Sequence, residues 1–236
     1  MADQQLVDDL VTASRILSHL GIVDGFGHVS VRCAGRPDRF LMSRSMPPGL
    51  VTAVDILELD LDGEPITPNG PRPHLERYIH SEIYRRRADV NAVVHSHSPS
   101  VIPFTVTPVP LKPVYHMSGF LGEGAPVFEI RETAGRCSDM LIRDRELGQA
   151  LAETLGVGAV ALMRGHGFVT VGADVKLAVL YAVYTELGAR VQTTALALGP
   201  VNFLTPEEAT NASATNDGGV SKAWDLWKAQ VSGDLP

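Results

Sequence analysis

The chain has 236 residues, of which 44% are hydrophobic, and its formal net charge is −7. This length and apolar content suffice for one large core. The acidic balance excludes a nucleic-acid-binding surface, and no apolar run reaches the length of a membrane span. Cys33 and Cys137 fit neither a disulfide framework nor a C-x-x-C site, and the opening Met-Ala-Asp-Gln-Gln is unlike a signal peptide. We therefore expect a protein of the reducing cytoplasm.

Periodicity and turn signals predict an alternation of helices and short strands. The predicted helices cover residues 4–20, 74–87, 146–155 and 174–198, the last capped by Asp174. The predicted strands cover 25–31, 40–42, 56–60, 91–95 and 159–163. This order predicts a three-layer α/β/α domain over residues 1–200, with helices on both faces of a central, mostly antiparallel sheet. Residues 201–236 form a polar tail, with a short helix near Trp224 that we expect to dock on the body or on a neighbouring subunit.

A pair of histidines, His95 and His97, is the most informative feature of the sequence. Because strand side chains alternate in direction, both rings point to the same face at the end of an apolar strand. His166 follows a second apolar run and lies between two glycines, which let a backbone approach a site closely. Three neutral imidazoles with open coordination positions are typical of a catalytic divalent metal: Zn, Mn, Co or Fe. The alternative, three structural histidines, stays open on spacing alone.

Four separate motifs resemble the class II aldolase/adducin family in their order and approximate spacing. They are Gly27–Arg32, the helix containing Glu76, Asn91–His97 and Leu162–Gly167, and the resemblance covers residues 5–200. It implies a largely antiparallel sheet flanked by helices, and a homotetramer with sites near subunit interfaces. It also implies that His95, His97 and His166 bind the metal and that Glu76 is the catalytic acid/base. On the residues alone, Glu76 would be an ordinary exposed helix glutamate.

The chain departs from the sugar-phosphate aldolases of this family at the positions that hold the substrate phosphate. His28 stands in place of an asparagine, and His74 and Leu75 replace a pair of serines. A leucine cannot donate a hydrogen bond to phosphate. The loop Ser43-Arg44-Ser45-Met46 adds an arginine, whose planar guanidinium suits a carboxylate.

These departures resemble the decarboxylase branch of the family, which removes one carboxyl from a dihydroxyphthalate or a hydroxypyridine-dicarboxylate. The resemblance implies a metal-dependent decarboxylase of aromatic catabolism, with Glu76 as a proton donor whose pKa is raised by burial. The predicted substrate contacts are Arg44, His28, His74, Tyr115, His116 and Ser43. His19 and His80, inside predicted helices, are interpreted as structural.

Three alternatives remain at this stage. An aldolase acting on an unphosphorylated hydroxy-keto acid or aldehyde would use the same metal and the same glutamate. An iron-dependent oxygenase would also use a three-histidine site. A cytoskeletal interaction module of the adducin branch would lack the metal-binding histidines, so His95, His97 and His166 disfavour it.

Overall fold

The computed structural model describes residues 4–233, so residues 1–3 and 234–236, at the ends of the two predicted regions, lie outside it. Its sheet has seven strands in the order β3-β2-β1-β4-β7-β6-β5. The strands are β1 His28–Arg32, β2 Arg39–Ser43, β3 Ile56–Asp60, β4 Ala92–Ser96, β5 Val127–Phe128, β6 Val160–Met163 and β7 Gly167–Gly172. Every neighbouring pair is antiparallel except β5 with β6. The predicted α/β class with a mostly antiparallel sheet is confirmed.

Helices cover both faces of this sheet. They are α1 Gln4–His19, α2 Arg77–Arg86, α3 Ile102–Val106, α4 Arg131–Ala134, α5 Arg145–Leu155, α6 Val175–Leu198, α7 Pro206–Gly218 and α8 Val220–Ser232. One apolar cluster joins the sheet to α1, α6 and α8, and a second joins it to α2 and α5. Among the described residues, no helix combines the length and the apolar character needed to cross a membrane.

The sequence prediction missed two strands, began one helix too early and missed one helix of the tail. β5 and β7 were not predicted, although β7 pairs with β4 along its length. The helix predicted over 74–87 begins only at Arg77, because a bridge between Arg44 and Pro73 holds the preceding segment extended. The tail contains two helices rather than one, and Trp224 and Trp227 are buried in the cluster formed with α1 and α6.

Strand alternation divides β1 between an apolar face and a polar face. Val29 and Val31 of β1 and Val94 of β4 join the cluster beneath α1 and α6. The opposite face of β1 carries polar residues toward α2, while β4 places His95 there. Because His28 is the register partner of His95, the structure brings two imidazoles together at the end of the sheet.

Candidate metal centre and its pocket

The three predicted ligand histidines converge on one point. His95 lies in the buried strand β4, His97 follows that strand, and His166 occupies the turn between β6 and β7. The Nε2 atom of His97 lies 3.0 Å from Nε2 of His95 and 3.0 Å from Nε2 of His166. The backbone carbonyl of Phe168 lies 3.0 Å from Nδ1 of His95 and accepts its proton, which leaves Nε2 bare.

This donor set fits a divalent cation. Ligand atoms of Glu76, His95, His97 and His166 all lie within 4.8 Å of one another. Nitrogen ligands around a tetrahedral ion at normal bond lengths lie about 3.3 Å apart, close to the observed spacing. Burial lowers the pKa of His95 and His97, which keeps both rings in the neutral, metal-binding form. The Nδ1 atom of His166 is buried without a hydrogen-bond partner among the described residues, which leaves this ring free to orient toward an ion.

Glycines allow the histidine turn to pack against β4. A Cβ atom at Gly167 would lie 2.0 Å from the backbone oxygen of Ser96, so no side chain fits there. Gly165, on the other side of His166, has a φ of +62°, a conformation that glycine adopts without strain. Gly27 likewise lets the entry to β1 pass His95, since its Cβ would lie 3.0 Å from the His95 carbonyl oxygen.

A Gly167→Ala substitution should lower both stability and metal affinity. The added methyl group must push β7 away from β4, and overpacking of this kind costs about 1–3 kcal/mol. Thermal unfolding with and without metal measures the effect. Gly218→Ala is the matched control, since its Cβ would meet nothing within 4 Å. Equal unfolding temperatures and equal metal content for the two variants would contradict the packing argument.

Glu76 lies beside the histidine cluster, immediately before α2 rather than within it. Its Oε2 atom is 3.6 Å from Nε2 of His166 and 3.8 Å from Nε2 of His95. Its Oε1 atom accepts a hydrogen bond from the backbone N–H of Ile142 at 2.9 Å. This contact holds the carboxylate over the pocket, so the side chain does not cap its own helix.

The expectation that burial raises the pKa of Glu76 is wrong for the net shift. Burial does raise it, but the neighbouring His166 and His95 and the hydrogen bond from the Ile142 amide outweigh burial and bring the pKa to about 2. Glu76 is therefore an anion at neutral pH. It has to accept a proton before it can donate one.

A cavity of about 510 Å³ opens beside the histidines. Its lining divides into a polar floor of His28, His74, Glu76 and His97 and an apolar rim, with Ser45 and two glycines between them. The rim consists of Phe26, Met46, Pro47, Leu75 and Leu141. No lysine or arginine within residues 4–233 lines this cavity.

The predicted substrate contacts fall into two groups. His28 and His74 line the cavity with ring centroids 4.7 Å apart, and Nε2 of His74 lies 3.1 Å from the Ser43 hydroxyl. Burial lowers the pKa of His28 and brings that of His74 to about 4, so both rings are neutral. Arg44 does not line the cavity, and its Nε donates to Asp55 Oδ1 at 2.8 Å.

Tyr115 and His116 also lie outside the cavity lining of this chain. His116 begins a short 3₁₀ segment that ends at Leu121 and packs against α7. Its carbonyl oxygen accepts a hydrogen bond from Asn216 at 2.8 Å, so the tail holds this loop.

Sequence reasoning missed several residues that support the site. His80, interpreted as an ordinary structural histidine, is fully buried and lies 2.7 Å from Nδ1 of His28. Phe26 is 72% exposed at the cavity rim, and its ring lies 6.4 Å from that of His97. Glu186, buried in α6, accepts from the hydroxyls of Ser98 and Ser100 and thereby holds the loop after His97. The i, i+4 spacing of Glu76, His80 and Tyr84 was the available signal for His80.

The fold and these site residues together define the class of protein. The chain belongs to the Class II Aldolase and Adducin N-terminal domain family, whose model matches residues 8–193. It is similar to decarboxylase tropJ of Talaromyces stipitatus, with 37% identity over 95% of this chain and 93% of the relative. It is also similar to the 3,4-dihydroxyphthalate decarboxylase of Arthrobacter keyseri, with 31% identity over 75% of this chain and 73% of that one.

Solved structures support the fold. An aldolase II superfamily protein from Pseudomonas syringae aligns with a TM-score of 0.79 and 22% identity, covering 98% of this chain and 93% of its own. An L-fuculose 1-phosphate aldolase aligns with a TM-score of 0.78 and 20% identity, covering 92% and 98%. At these identities, the likeness concerns the fold alone.

Proposed function

We propose that this chain is a divalent-metal-dependent carboxy-lyase of aromatic catabolism. Its substrate is a hydroxylated aromatic dicarboxylate of the dihydroxyphthalate or hydroxypyridine-dicarboxylate type. The observation that carries the proposal is the cluster of Glu76, His95, His97 and His166 at the floor of a cavity with an apolar rim. Similarity to two decarboxylases at 37% and 31% identity supports the reaction class.

The cavity suits a flat aromatic ring better than a sugar phosphate. Its volume of about 510 Å³ lies within the range of small-molecule sites. Leu75 and Phe26 offer apolar surface where a phosphate would need hydrogen-bond donors. No feature of the described cavity lining favours the aldolase alternative.

His95, His97 and His166 would hold the metal, which supplies electrophilic stabilisation of a substrate oxygen as negative charge develops there. Glu76 moves the proton. Because the carboxylate is ionised, we expect it first to accept the proton of the ring hydroxyl next to the departing carboxylate. It then returns that proton to the ring carbon that bears the carboxylate.

The carbon–carbon bond to the carboxylate breaks in the last step. Its electron pair restores the aromatic ring, CO2 leaves, and the ring oxygen recovers a proton from solvent. The net change is consumption of one proton and release of one CO2. Water exclusion by the apolar rim would favour this step, because a carboxylate loses its hydration when CO2 forms.

Phe26 is expected to lie against the substrate ring. Aromatic pairs of this kind contribute about 0.5–1.5 kcal/mol beyond the area they bury. A Phe26→Ala substitution should therefore raise KM about tenfold and leave metal content unchanged. Steady-state kinetics with an aromatic dicarboxylate measures this. The conservative variant Phe26→Tyr should keep the wild-type KM. An unchanged KM for Phe26→Ala would remove Phe26 from the substrate site.

A cytoplasmic homotetramer with sites near subunit interfaces is also part of the proposal. Val191, Leu196 and Leu198 expose apolar surface on the second half of α6, which supports association with other copies. Cys33 and Cys137 are free thiols, as in a reducing compartment. Light scattering on the purified protein should give about four chain masses.

A substrate panel tests the reaction class. Metal-loaded protein is given 3,4-dihydroxyphthalate, a 3-hydroxypyridine-4,5-dicarboxylate and L-fuculose 1-phosphate in separate reactions. We expect CO2 from one of the two aromatic compounds, no cleavage of the sugar phosphate, and loss of turnover on chelation. Cleavage of the sugar phosphate with no CO2 from either ring would overturn the proposal.

A further inference from the structure

Four buried polar side chains form a continuous hydrogen-bonded chain behind the cavity, between β1 and α2. Nδ1 of His28 lies 2.7 Å from Nε2 of His80, and Nδ1 of His80 lies 2.7 Å from the Ser30 hydroxyl. The Ser30 hydroxyl in turn lies 2.7 Å from that of Tyr84. The proposed reaction assigns no role to the last three of these residues.

The Tyr84 hydroxyl determines the donor-to-acceptor direction of the whole hydrogen-bonded chain. Ser30 is its only hydrogen-bond partner within residues 4–233, and a buried hydroxyl proton without an acceptor is costly. Tyr84 therefore donates to Ser30, and Ser30 donates to Nδ1 of His80. His80 then carries its proton on Nε2 and donates it to Nδ1 of His28. The remaining proton of His28 must lie on its Nε2 atom.

The opposite direction is disfavoured at the Tyr84 end. If Ser30 donated to Tyr84, the phenolic proton would have no acceptor among the described residues. Burial raises the pKa of Tyr84 and lowers that of His80 to about 3, so both groups stay neutral. With every member neutral, one arrangement of protons satisfies all three hydrogen bonds of this chain and the Tyr84 hydroxyl.

His28, at one end of the hydrogen-bonded chain, lies at the cavity. His28 lines the cavity, its ring centroid is 5.1 Å from that of His95, and its Nε2 atom has no hydrogen-bond partner among the described residues. Because no arginine or lysine of the described chain lines the cavity, the side-chain hydrogen-bond donors there are neutral.

We propose that His28 is an N–H donor to the substrate oxygen that becomes negative in the reaction, and that His80, Ser30 and Tyr84 are positioning residues that fix its tautomer. The identity of that oxygen rests on the proposed function. In the other tautomer, Nε2 of His28 would present a lone pair to an anionic oxygen and repel it. Three buried side chains thus keep one ring in the useful form, and the donor acts most strongly as charge develops.

Nitrogen NMR of zinc-loaded protein with ¹⁵N-labelled histidine tests the tautomer without any need for turnover. The signal of His28 is assigned by its loss in His28→Asn. We expect wild-type His28 to carry its proton on Nε2. In Tyr84→Phe, which removes only the terminal donor, we expect a mixture of both tautomers. We also expect a kcat about tenfold lower with unchanged metal content, the effect of weakening one hydrogen bond.

Two further variants sharpen the test. Ser30→Ala breaks the chain in the middle and should reproduce the effect of Tyr84→Phe. Tyr181→Phe is the matched control, because it removes a tyrosine hydroxyl bonded to Asp217 in α7, away from the cavity, and should leave the tautomer and kcat unchanged.

Wild-type His28 protonated on Nδ1 would overturn the proposal. So would Tyr84→Phe and Ser30→Ala proteins with wild-type tautomer and wild-type kcat. If no aromatic dicarboxylate is turned over, the proposed function fails, whereas the NMR result still decides whether the chain fixes His28.

Discussion

Glu76→Gln protein should bind its metal normally and lose turnover by about 10²–10⁴-fold. The amide keeps the shape of the side chain and the hydrogen bond that Ile142 donates to Oε1. It cannot take the proton of a substrate hydroxyl or deliver a proton to carbon. Metal content by elemental analysis and kcat with an aromatic dicarboxylate are the two measurements.

Glu153→Gln provides the matched control for this substitution. Glu153 lies on α5, half exposed and 3.7 Å from Arg86, with no contact to the cavity. It should retain full turnover. Wild-type kcat in Glu76→Gln would remove Glu76 from the mechanism, and loss of metal in that variant would make Glu76 a ligand instead of a proton carrier.

Loss of one metal ligand should abolish both metal binding and activity. His97 is the most informative ligand to change, because its Nε2 atom lies 3.0 Å from the other two Nε2 atoms. His97→Gln should lower metal occupancy and reduce kcat/KM by at least about 10³-fold, since electrophilic stabilisation by a metal amounts to several kcal/mol. Added metal should not restore activity.

His19→Gln is the control for removal of a histidine. His19 ends α1 and is exposed, away from the cavity, so metal occupancy and kcat/KM should match those of the wild type. If His97→Gln retained full metal and full activity, the assignment of the metal centre would be wrong.

The metal cluster was predictable because its signal is local. The two-residue period of a strand sends His95 and His97 to one face, and glycines on both sides of His166 indicate a tight turn. The sequence pattern did not determine which strand lies next to β4, and β7 was missed although Phe168-Val-Thr-Val171 is rich in strand-forming residues.

The environment of each side chain was less predictable than its position. Arg44 was predicted to bind a substrate carboxylate because its guanidinium suits that chemistry. In the structure, its Nε atom lies 2.8 Å from the carboxylate of Asp55. His80 was interpreted as structural from the sequence. Only the packing of β1 against α2 places it next to His28 and Ser30. The pKa of Glu76 depends on the opposing effects of burial and of neighbours that come from β4, the β6–β7 turn and the segment at Ile142. These long-range contacts leave no local pattern in the sequence.

The most direct test of the central claim follows the carboxyl carbon itself. Metal-loaded wild-type protein is incubated with 3,4-dihydroxyphthalate labelled with ¹³C at the carboxylate next to the ring hydroxyl, and the reaction is followed by ¹³C NMR. We expect the label to leave the ring as ¹³CO2, and we expect Glu76→Gln protein to release none. The contradicting result is labelled carbon that stays on the ring of both this compound and the correspondingly labelled 3-hydroxypyridine-4,5-dicarboxylate, while wild-type protein holds its full complement of metal.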